Sequence, residues 1–270
     1  MNSKLAKKAT ILCPLKLPIV LPGQRTDKIL IKALRKSKLE LCDGDVVAVA
    51  SKIVSTAEGR TIGLDDAKVS KETLRVARKW HIDRRLAAVV RDEADVILGG
   101  VPGFLLTLKN GILTANAGID LKNAPGGTAI RWPSDADASA STIRNSLEHE
   151  FHARIGVIIV DSRVTPMRLG TVGLAIAASG LKPTRDDRGS SDLYGRKTKV
   201  TQSNVIDDLA SSAHLLMGET SERIGAVLVR RAPIRLQRLA TSEGARLRVG
   251  RCLIASNLRN LQRVTQYQST

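Results

Sequence analysis

The chain has 270 residues, of which 43% are hydrophobic, so it can bury a substantial core as one large domain or two small ones. Its 43 basic and 26 acidic residues give a formal net charge of +17, which excludes an acidic surface. A positively charged surface attracts polyanions: nucleotides, acidic substrates, nucleic acid or anionic lipid. A solvated face without a ligand explains the charge about as well, since charge runs are usually faces.

Cysteine spacing and hydropathy exclude several classes of protein. Cys13, Cys42 and Cys252 lie far apart without a Cys-x-x-Cys pair, which argues against a zinc site or a disulfide framework. No apolar run approaches the roughly 20 residues that cross a bilayer, and residues 1–10 lack the apolar stretch of a signal peptide. We therefore expect a cytoplasmic protein with no membrane partner.

The first half of the chain predicts short strands and helices. Residues 10–22 predict a strand that ends in a Pro-rich turn, and a helix capped by Asp27 follows. The apolar run Val46–Ala50 predicts a strand buried on both faces. Residues 70–101 predict two helices that break around 81–83. Residues 104–115 predict a hairpin that turns at Asn110-Gly111 and leads to Asp120.

The second half predicts further elements after a loop over 123–137. We predict helices over 138–152, 205–217 and 245–262, the last with a basic face, and strands over 155–160, 197–202 and 226–230. The glycines over 170–180 are typical of close packing. They match no Walker loop and no dinucleotide motif.

Hairpin patterns outnumber regular strand-helix-strand alternation, which favours an α+β fold over a doubly wound sheet. We predict mainly antiparallel sheets with flanking helices and two interleaved subdomains. Residues 1–133 would carry the first metal aspartate and nucleotide contacts, and residues 134–270 the second metal and a nucleotide loop, as one intertwined catalytic unit.

Three acidic residues stand at or just past the ends of apolar, strand-like runs: Asp120, Asp161 and Glu219. Carboxylates that converge in a fold can hold Mg²⁺ or Mn²⁺ against nucleotide phosphates, because these cations prefer oxygen ligands. The alternative is that all three form turns or cap helices. His149 and His152 have metal-ligand spacing on a helix, but no further ligand motif accompanies them, and a surface pair is the favoured interpretation.

Short segments across residues 14–231 together resemble a known family. They are Asp43–Val47, Ser51–Arg60, Asn116–Asp120, Arg154–Ser162, Asp192–Arg196 and Leu215–Glu219. In their order and spacing they resemble the coenzyme F420-0:L-glutamate ligases of archaea and actinobacteria, and the chain is similar to a divergent archaeal-type member.

The resemblance implies an activity. A GTP-dependent, GDP-forming ligase would activate a carboxylate of the deazaflavin precursor as an acyl phosphate, and the amine of L-glutamate would then displace phosphate to form an amide. Magnesium or manganese, with potassium as a further cation, would assist, and the enzyme would be a homodimer.

The resemblance also implies site residues. Asp120, Asp161 and Glu219 would be catalytic, with Asp120 and Asp161 on one metal and Ser162 and Glu219 on a second. Nucleotide contacts would come from Leu17, Pro18, Ile19, Ser51, Lys52, Asn123 and the loop Met217–Ile224, with Met217, Gly218, Thr220 and Ser221. For carboxylate or phosphate groups of the acceptor, our candidates are Arg163, Arg168 and Arg196.

Some residues depart from the family pattern. Thr56 stands where a lysine is expected, with Lys52 as the substitute, Pro166 changes the loop after Ser162, and residues 220–223 lack the usual glycines. Residues 230–263 carry nine arginines and one acid. A divergent paralogue that acts on another acidic metabolite, or a basic nucleic-acid-binding protein with this fold, is therefore the alternative hypothesis.

Overall fold

The computed structural model describes residues 9–258, which form two compact units. Within this range the first unit comprises residues 9–59 and 133–245, and the second comprises residues 60–132 and 246–258. The chain thus passes between the units three times, once directly before Pro133. Each unit takes segments from both sides of the predicted boundary at 133.

The first unit is built on a six-stranded sheet whose strands come from distant parts of the chain. Its strands are β1 (Ile11–Lys16), β2 (Val46–Ala50), β8 (Gly156–Val164), β9 (Thr171–Leu181), β12 (Ile224–Arg230) and β13 (Leu236–Thr241). Their spatial order is β1-β12-β2-β8-β9-β13, and β2 with β8 is the one parallel pair that the described strands contain.

Helices pack on this sheet. They are α1 (Thr26–Lys36), α2 (Ser51–Ala57), α5 (Ala136–Phe151) and α6 (Val205–Met217), and a short pair, β10 (Thr184–Asp186) with β11 (Gln202–Asn204), completes the unit. The apolar side of α6 forms a core cluster with alternate residues of the central strands, including Ala48, Ile158 and Val160. Helix α5 packs on β8 and β9 and against α1.

The second unit contains a smaller sheet between apolar layers. Its elements are β3 (Thr61–Gly63), α3 (Lys71–Trp80), α4 (Arg84–Glu93), β4 (Val96–Val101), β5 (Phe104–Lys109), β6 (Ile112–Ala115) and β7 (Thr128–Ile130). Strands β4, β5 and β6 form an antiparallel sheet, and β3 pairs with β7. Leu105 faces the α3 and α4 core, whereas Leu106 and Leu108 face the segment 249–258.

Most local predictions are confirmed. The fold is α+β with mainly antiparallel sheets, Val46–Val49 are fully buried, and the hairpin turns at Asn110 and Gly111 with φ of 49° and 74°. The break between α3 and α4 is fixed by Asp83, whose carboxylate accepts from the amide N of Arg85 at 2.7 Å and from that of Leu86 at 3.1 Å.

Several local predictions are wrong. Residues 96–101, predicted to be helical, form strand β4 because they pair with β5, and the predicted loop 123–137 contains strand β7. Asp27 does not cap α1, because the helix starts at Thr26 and the carboxylate accepts from Arg25 and Ser146 instead. Residues 197–201 are not a strand, and β11 begins at Gln202. Residues 245–258 form short 3-10 turns and no α-helix, since their apolar side chains pack on the small sheet; the rest of that predicted helix lies outside the described residues.

Glycine at 173 is required by the approach of α6 to β9. A Cβ atom at Gly173 would lie 2.3 Å from the carbonyl O of Ala210 and 2.7 Å from the Cβ of His214. Gly180 is similarly confined, because its φ is 85° and a Cβ atom there would lie 2.6 Å from the carbonyl O of Ile155. Close packing, as predicted, thus explains both glycines.

Replacing Gly173 with Ala is expected to destabilise the first unit by about 2–3 kcal/mol, because helix and strand must separate. Chemical denaturation followed by far-ultraviolet circular dichroism measures the loss. Gly99→Ala is the matched control, since Gly99 also lies in a strand but has no atom within 4 Å of the new methyl. Equal stabilities of the two variants would contradict the packing explanation.

No helix in the described part of the chain combines the length and apolarity that a membrane span requires.

Candidate functional site

The parallel pairing of β2 with β8 brings Ser51 to Asp161. Ala50, the last residue of β2, pairs with Val160 of β8. The next residue of each segment, Ser51 and Asp161, therefore lies at the same edge of the sheet. The hydroxyl Oγ of Ser51 donates to Oδ1 of Asp161 over 2.9 Å. Ser51 is 5% exposed and Asp161 is half-buried. The hydroxyl therefore fixes the orientation of this carboxylate.

Asp161 and Ser162 point to opposite faces of the sheet, because successive side chains alternate along a strand. Ser162 pairs with Gly173, and a side chain at Gly173 would point at α6. Cross-strand partners share a face, so Ser162 lies on the α6 side of the sheet. The structure therefore places the side chains of Asp161 and Ser162 on opposite faces of the sheet.

Glu219 lies on the α6 side, just beyond the end of that helix. Its Oε1 atom accepts from Thr171 Oγ1 over 2.8 Å and lies 2.9 Å from Nε2 of His214. Thr171 begins β9, and His214 is in the last turn of α6. A strand and a helix thus hold this carboxylate from two sides.

The pKa of Glu219 lies below its usual value. Burial by itself raises this pKa, but the hydrogen bonds from Thr171 and His214 and the positive charges of His214 and Lys52 outweigh burial. Glu219 is therefore a carboxylate at neutral pH, which is the form that binds cations.

Lys52 acts on Glu219. It follows Ser51 at the start of α2, and its positive charge contributes to lowering the pKa of Glu219. The first unit therefore contains two pairs of predicted residues: Ser51 with Asp161, and Lys52 with Glu219. Lys52 is half-buried.

Gly218 ends α6 with a backbone conformation suited to glycine. Its φ is 71° and its ψ is −177°, and a Cβ atom there would lie 2.3 Å from the carboxyl carbon of Glu222. The carboxylate of Glu222 in turn accepts from the amide N of Thr220 at 2.8 Å and from its hydroxyl at 3.0 Å. The carboxylate of Glu222 thus stabilises the loop that follows the helix.

The remaining predicted nucleotide residues of the first unit differ in exposure. Leu17 and Met217 are 2% and 7% exposed, so they offer a ligand only their backbone atoms. The amide N of Leu17 donates to the carbonyl O of Arg223 over 3.0 Å, which joins the N-terminal turn to the Glu219 loop. Side chains that reach solvent come from Pro18, Ile19, Thr220 and Ser221.

Asp120 and Asn123 belong to the second unit. Asp120 exchanges two backbone hydrogen bonds with Ile130, of 2.9 and 2.8 Å, and its Oδ1 accepts from the amide N of Lys122 over 2.7 Å. Asn123 is exposed in the following loop with φ of 58°. The hairpin delivers Asp120 as predicted, through one 3-10 turn at Asn116–Gly118.

The donor chemistry of the first unit fits a hard divalent cation. Asp161, Ser162 and Glu219 offer only oxygen atoms, which Mg²⁺ and Mn²⁺ prefer. Among residues 9–258, no group of three or more His, Cys, Asp and Glu side chains is arranged to hold a metal by itself. A bound cation would therefore take further oxygen ligands from water or substrate, as magnesium sites in phosphate-handling enzymes do.

Two residues of the site were missed by the sequence interpretation. Thr171 and His214 both bond to Glu219, yet neither belongs to a recognised motif. The position of His214, five residues before Glu219 in the last turn of a predicted helix, was the available indication. His149 and His152 are exposed, in agreement with a surface pair.

The three candidate arginines have different surroundings. Arg196 donates to Asp192 over 2.9 Å, and Arg168 is exposed in the loop after β8. Arg163 has a buried Nε atom with no hydrogen-bond partner among the described residues. Its positive charge acts on Asp207, whose pKa is raised by burial.

Replacing Thr171 with Val is expected to raise the pKa of Glu219, because one of the bonds that stabilise its charged form is lost. Carboxyl-carbon NMR titration of the labelled protein measures this pKa. The ionised Glu219 stabilises the folded protein above its unfolded pKa, and this contribution is lost as pH falls through the lower folded pKa. The variant should therefore be less stable than the wild-type protein above pH about 4.3. Thr201→Val, at an exposed residue, is the control. An unchanged Glu219 pKa would disprove the role of Thr171.

The amino-acid sequence matches a known protein family. Residues 14–231 match the model of the family described as F420-0:Gamma-glutamyl ligase. The chain is similar to proteins named coenzyme F420:L-glutamate ligase from three archaea. It is 41% identical over 208 residues to that of Methanopyrus kandleri, which covers 77% of this chain and 82% of the relative.

The other two relatives are from Methanothermobacter thermautotrophicus and Methanocaldococcus jannaschii. The first is 37% identical over 218 residues, with 80% of this chain and 86% of the relative covered. The second is 37% identical over 221 residues, with 82% and 87% covered. The matched region contains Ser51, Lys52, Asp161 and Glu219, and the chain belongs to the F420-0:gamma-glutamyl ligase family.

Proposed function

We propose that this protein is a GTP- and divalent-metal-dependent ligase that joins L-glutamate to the deazaflavin precursor of coenzyme F420. Family membership supports the joining of glutamate to the coenzyme, as the names of the relatives state. The observation that carries the proposal is the pair of oriented carboxylates, Asp161 held by Ser51 and Glu219 held by Thr171, with the charge of Lys52 acting on Glu219. This pattern suits phosphoryl transfer, where positioning and charge supply most of the catalysis.

The metal assignments come from the family resemblance. Asp161, with Asp120, would hold one Mg²⁺ or Mn²⁺, and Ser162 with Glu219 a second; K⁺ would be a further cation. When bound, the metal ions neutralise charge on the phosphates and align the transferred group.

Residues of the first unit orient the charged side chains of this site. Ser51 holds the Asp161 carboxylate through its 2.9 Å hydrogen bond. Thr171 and His214 hold Glu219 and keep it ionised. Lys52 would place an ammonium group against nucleotide phosphate, which compensates for Thr56 in place of the family lysine. Exposed Ile19 and Pro18 would border the nucleotide base.

The proposed reaction has two displacement steps. A carboxylate oxygen of the precursor attacks the γ-phosphorus of GTP, the bond to the β-phosphate oxygen breaks, and GDP leaves. The amine of glutamate then attacks the acyl carbon, phosphate leaves with the bonding electrons, and the nitrogen loses a proton. No side-chain nucleophile is required.

A mass-spectrometric ligation assay tests this function. Purified protein is incubated with deazaflavin precursor, L-glutamate, GTP and Mn²⁺, and each component is omitted in turn. The expected product is heavier by one or more glutamyl units and forms only with GTP and metal. No product from folded protein that binds nucleotide would favour another acidic acceptor.

We propose a homodimer as the functional form. The turn between β8 and β9 carries exposed apolar side chains, with Met167 and Leu169 fully exposed and Val164 58% exposed. Exposed apolar patches of this kind often mark protein interfaces. Light scattering after size-exclusion chromatography should give twice the chain mass of 29.1 kDa, and Met167→Glu with Leu169→Glu should shift it toward one chain. A monomeric wild-type protein would disprove the proposal.

Nucleic-acid binding is the second candidate function. The residues beyond 231 lie outside the family match, and they expose Arg235, Arg238, Arg248 and Arg251. Affinity for DNA or RNA should then fall steeply as salt rises, because phosphate contacts release counterions. No binding at low salt would eliminate this candidate.

A further inference from the structure

A cluster of three basic side chains surrounds Glu93 in the second unit. Glu93 ends α4, and its carboxylate accepts from Arg60 Nη2 at 2.9 and 3.1 Å and from Arg131 Nη1 at 3.2 Å. Lys109 at the end of β5 also donates to it through Nζ. We call Arg60, Lys109 and Arg131 the basic cluster.

The basic cluster is largely withdrawn from solvent. The side chains of Lys109 and Glu93 are 7% and 11% exposed, and those of Arg60 and Arg131 are 23% exposed. The group charge is +2, from three cations and one carboxylate. The helix dipole places only about half an elementary negative charge at the carbonyl end of α4, which offsets a small part of this positive charge. Partly buried cations without equal counter-charge are costly, so this place favours an anion.

The excess of hydrogen-bond donors over acceptors in the basic cluster also favours an anion. Two guanidinium groups and one ammonium carry about thirteen N–H donors, whereas one carboxylate offers about four acceptor positions. Arg60 Nε donates to the carbonyl O of Trp132 over 2.9 Å, and Lys109 Nζ lies 5.9 Å from the Trp132 ring centroid. Arg131 Nε also donates to the carbonyl O of Arg60 over 3.5 Å, and these contacts together leave more than half of the donors unused. In the described residues, none of the nitrogen atoms of the basic cluster is buried without a hydrogen-bond partner.

The basic cluster is joined to the strand that carries Asp120. Arg131 follows Ile130, the backbone partner of Asp120, and its amide N donates to the carbonyl O of Arg60 over 3.0 Å. The same short antiparallel layer therefore positions the predicted metal aspartate and two of the three cations. An anion at the basic cluster would lie in the same layer of the second unit as that aspartate.

We propose that Arg60, Lys109 and Arg131 form an oxyanion site that takes a phosphate group. Guanidinium pairs suit phosphate because their parallel N–H groups match its oxygen atoms. The phosphate has three sources in the proposed reaction: free phosphate, the nucleotide or a phosphate of the acceptor. Only this naming of sources rests on the proposed function; the site itself rests on charge and geometry.

Calorimetric titration of the full chain with inorganic phosphate tests the site. Arg131→Gln should weaken phosphate binding at least tenfold. Arg78→Gln, which removes an exposed arginine of the same unit, should change it less than twofold. Arg131→Lys, which keeps the charge, should recover part of the affinity. The fluorescence of Trp80 and Trp132 verifies that the second unit is folded in each variant.

Lys52→Gln distinguishes this site from the proposed nucleotide site. The proposal expects phosphate affinity to survive Lys52→Gln and to fall in Arg131→Gln. The reverse result, or no phosphate binding by the wild-type chain at millimolar concentration, would overturn it. If Arg131→Gln is unfolded, Lys109→Gln replaces it under the same criteria.

Titrations with GTP and with the acceptor precursor, each with and without competing phosphate, then identify the source. If inorganic phosphate competes with GTP or with the precursor, and this competition disappears in Arg131→Gln, the site binds a phosphate group of that ligand. If inorganic phosphate competes with neither ligand, the site binds free phosphate. Phosphate binding needs no turnover, so a failed ligation assay with retained phosphate binding rejects the proposed function alone.

Discussion

Asp161→Asn is expected to lower the ligation rate at least about 10²-fold while the first unit keeps its fold. Asparagine retains an oxygen that can accept the 2.9 Å hydrogen bond from Ser51. The side-chain volume hardly changes, so packing at this edge of the sheet is preserved. What is lost is the negative charge, on which cation binding near the phosphates depends. The rate of product formation at saturating GTP, precursor and glutamate measures the effect.

The control for Asp161→Asn is Asp208→Asn. Asp208 is an exposed acid on α6 of the same unit, and its replacement should leave the rate within about twofold. The dependence of the rate on Mn²⁺ concentration adds a second readout, because a lost cation ligand should raise the Mn²⁺ requirement. A rate above a tenth of the wild-type value with an unchanged Mn²⁺ requirement would refute the role proposed for Asp161.

Replacement of Glu93 by Gln is expected to destabilise the second unit by about 3 kcal/mol. Removal of one partner from a buried ion pair leaves the opposite charge uncompensated, and here three cations lose their shared carboxylate. The tryptophans of the described residues, Trp80 and Trp132, both lie in this unit, so fluorescence in urea reports its unfolding. Asp92→Asn, at the exposed neighbouring acid, is the matched control.

The effect of Glu93→Gln should depend on pH. Burial raises the pKa of Glu93, but the hydrogen bond and charge of Lys109 and the charges of Arg60 and Arg131 lower it to a net value below the usual one. Its contribution to stability is therefore fully present above the unfolded pKa of about 4.3 and is lost as pH falls through the lower folded pKa. The difference in stability between the two proteins should therefore begin to shrink as the pH falls below about 4.3. A constant difference down to pH 3 would contradict this account.

Local patterns predicted the elements whose formation depends on neighbouring residues. The bounds of α6, Val205–Met217, agree with the prediction because Asn204 accepts from the amide N of Asp207 at the start and Gly218 ends the helix with positive φ. Asn110-Gly111 fixed the hairpin in the same way. The helix predicted over the segment 245–258 does not form. Its apolar residues pack on the small sheet in short 3-10 turns and do not line one face of a helix.

The sequence by itself determined the α+β class, the family and the acidic residues at strand ends, because alternation, turn chemistry and motif order are all properties of the linear chain. Only the tertiary structure decided which side chains meet. Ser51 and Asp161 are 110 positions apart, Thr171 and Glu219 are 48 apart, and three cations from separate segments gather on Glu93. Pairing of β2 with β8 and packing of α6 on β9 create the first two contacts, and such long-range pairings arise from burial of the whole sheet, which no local pattern specifies.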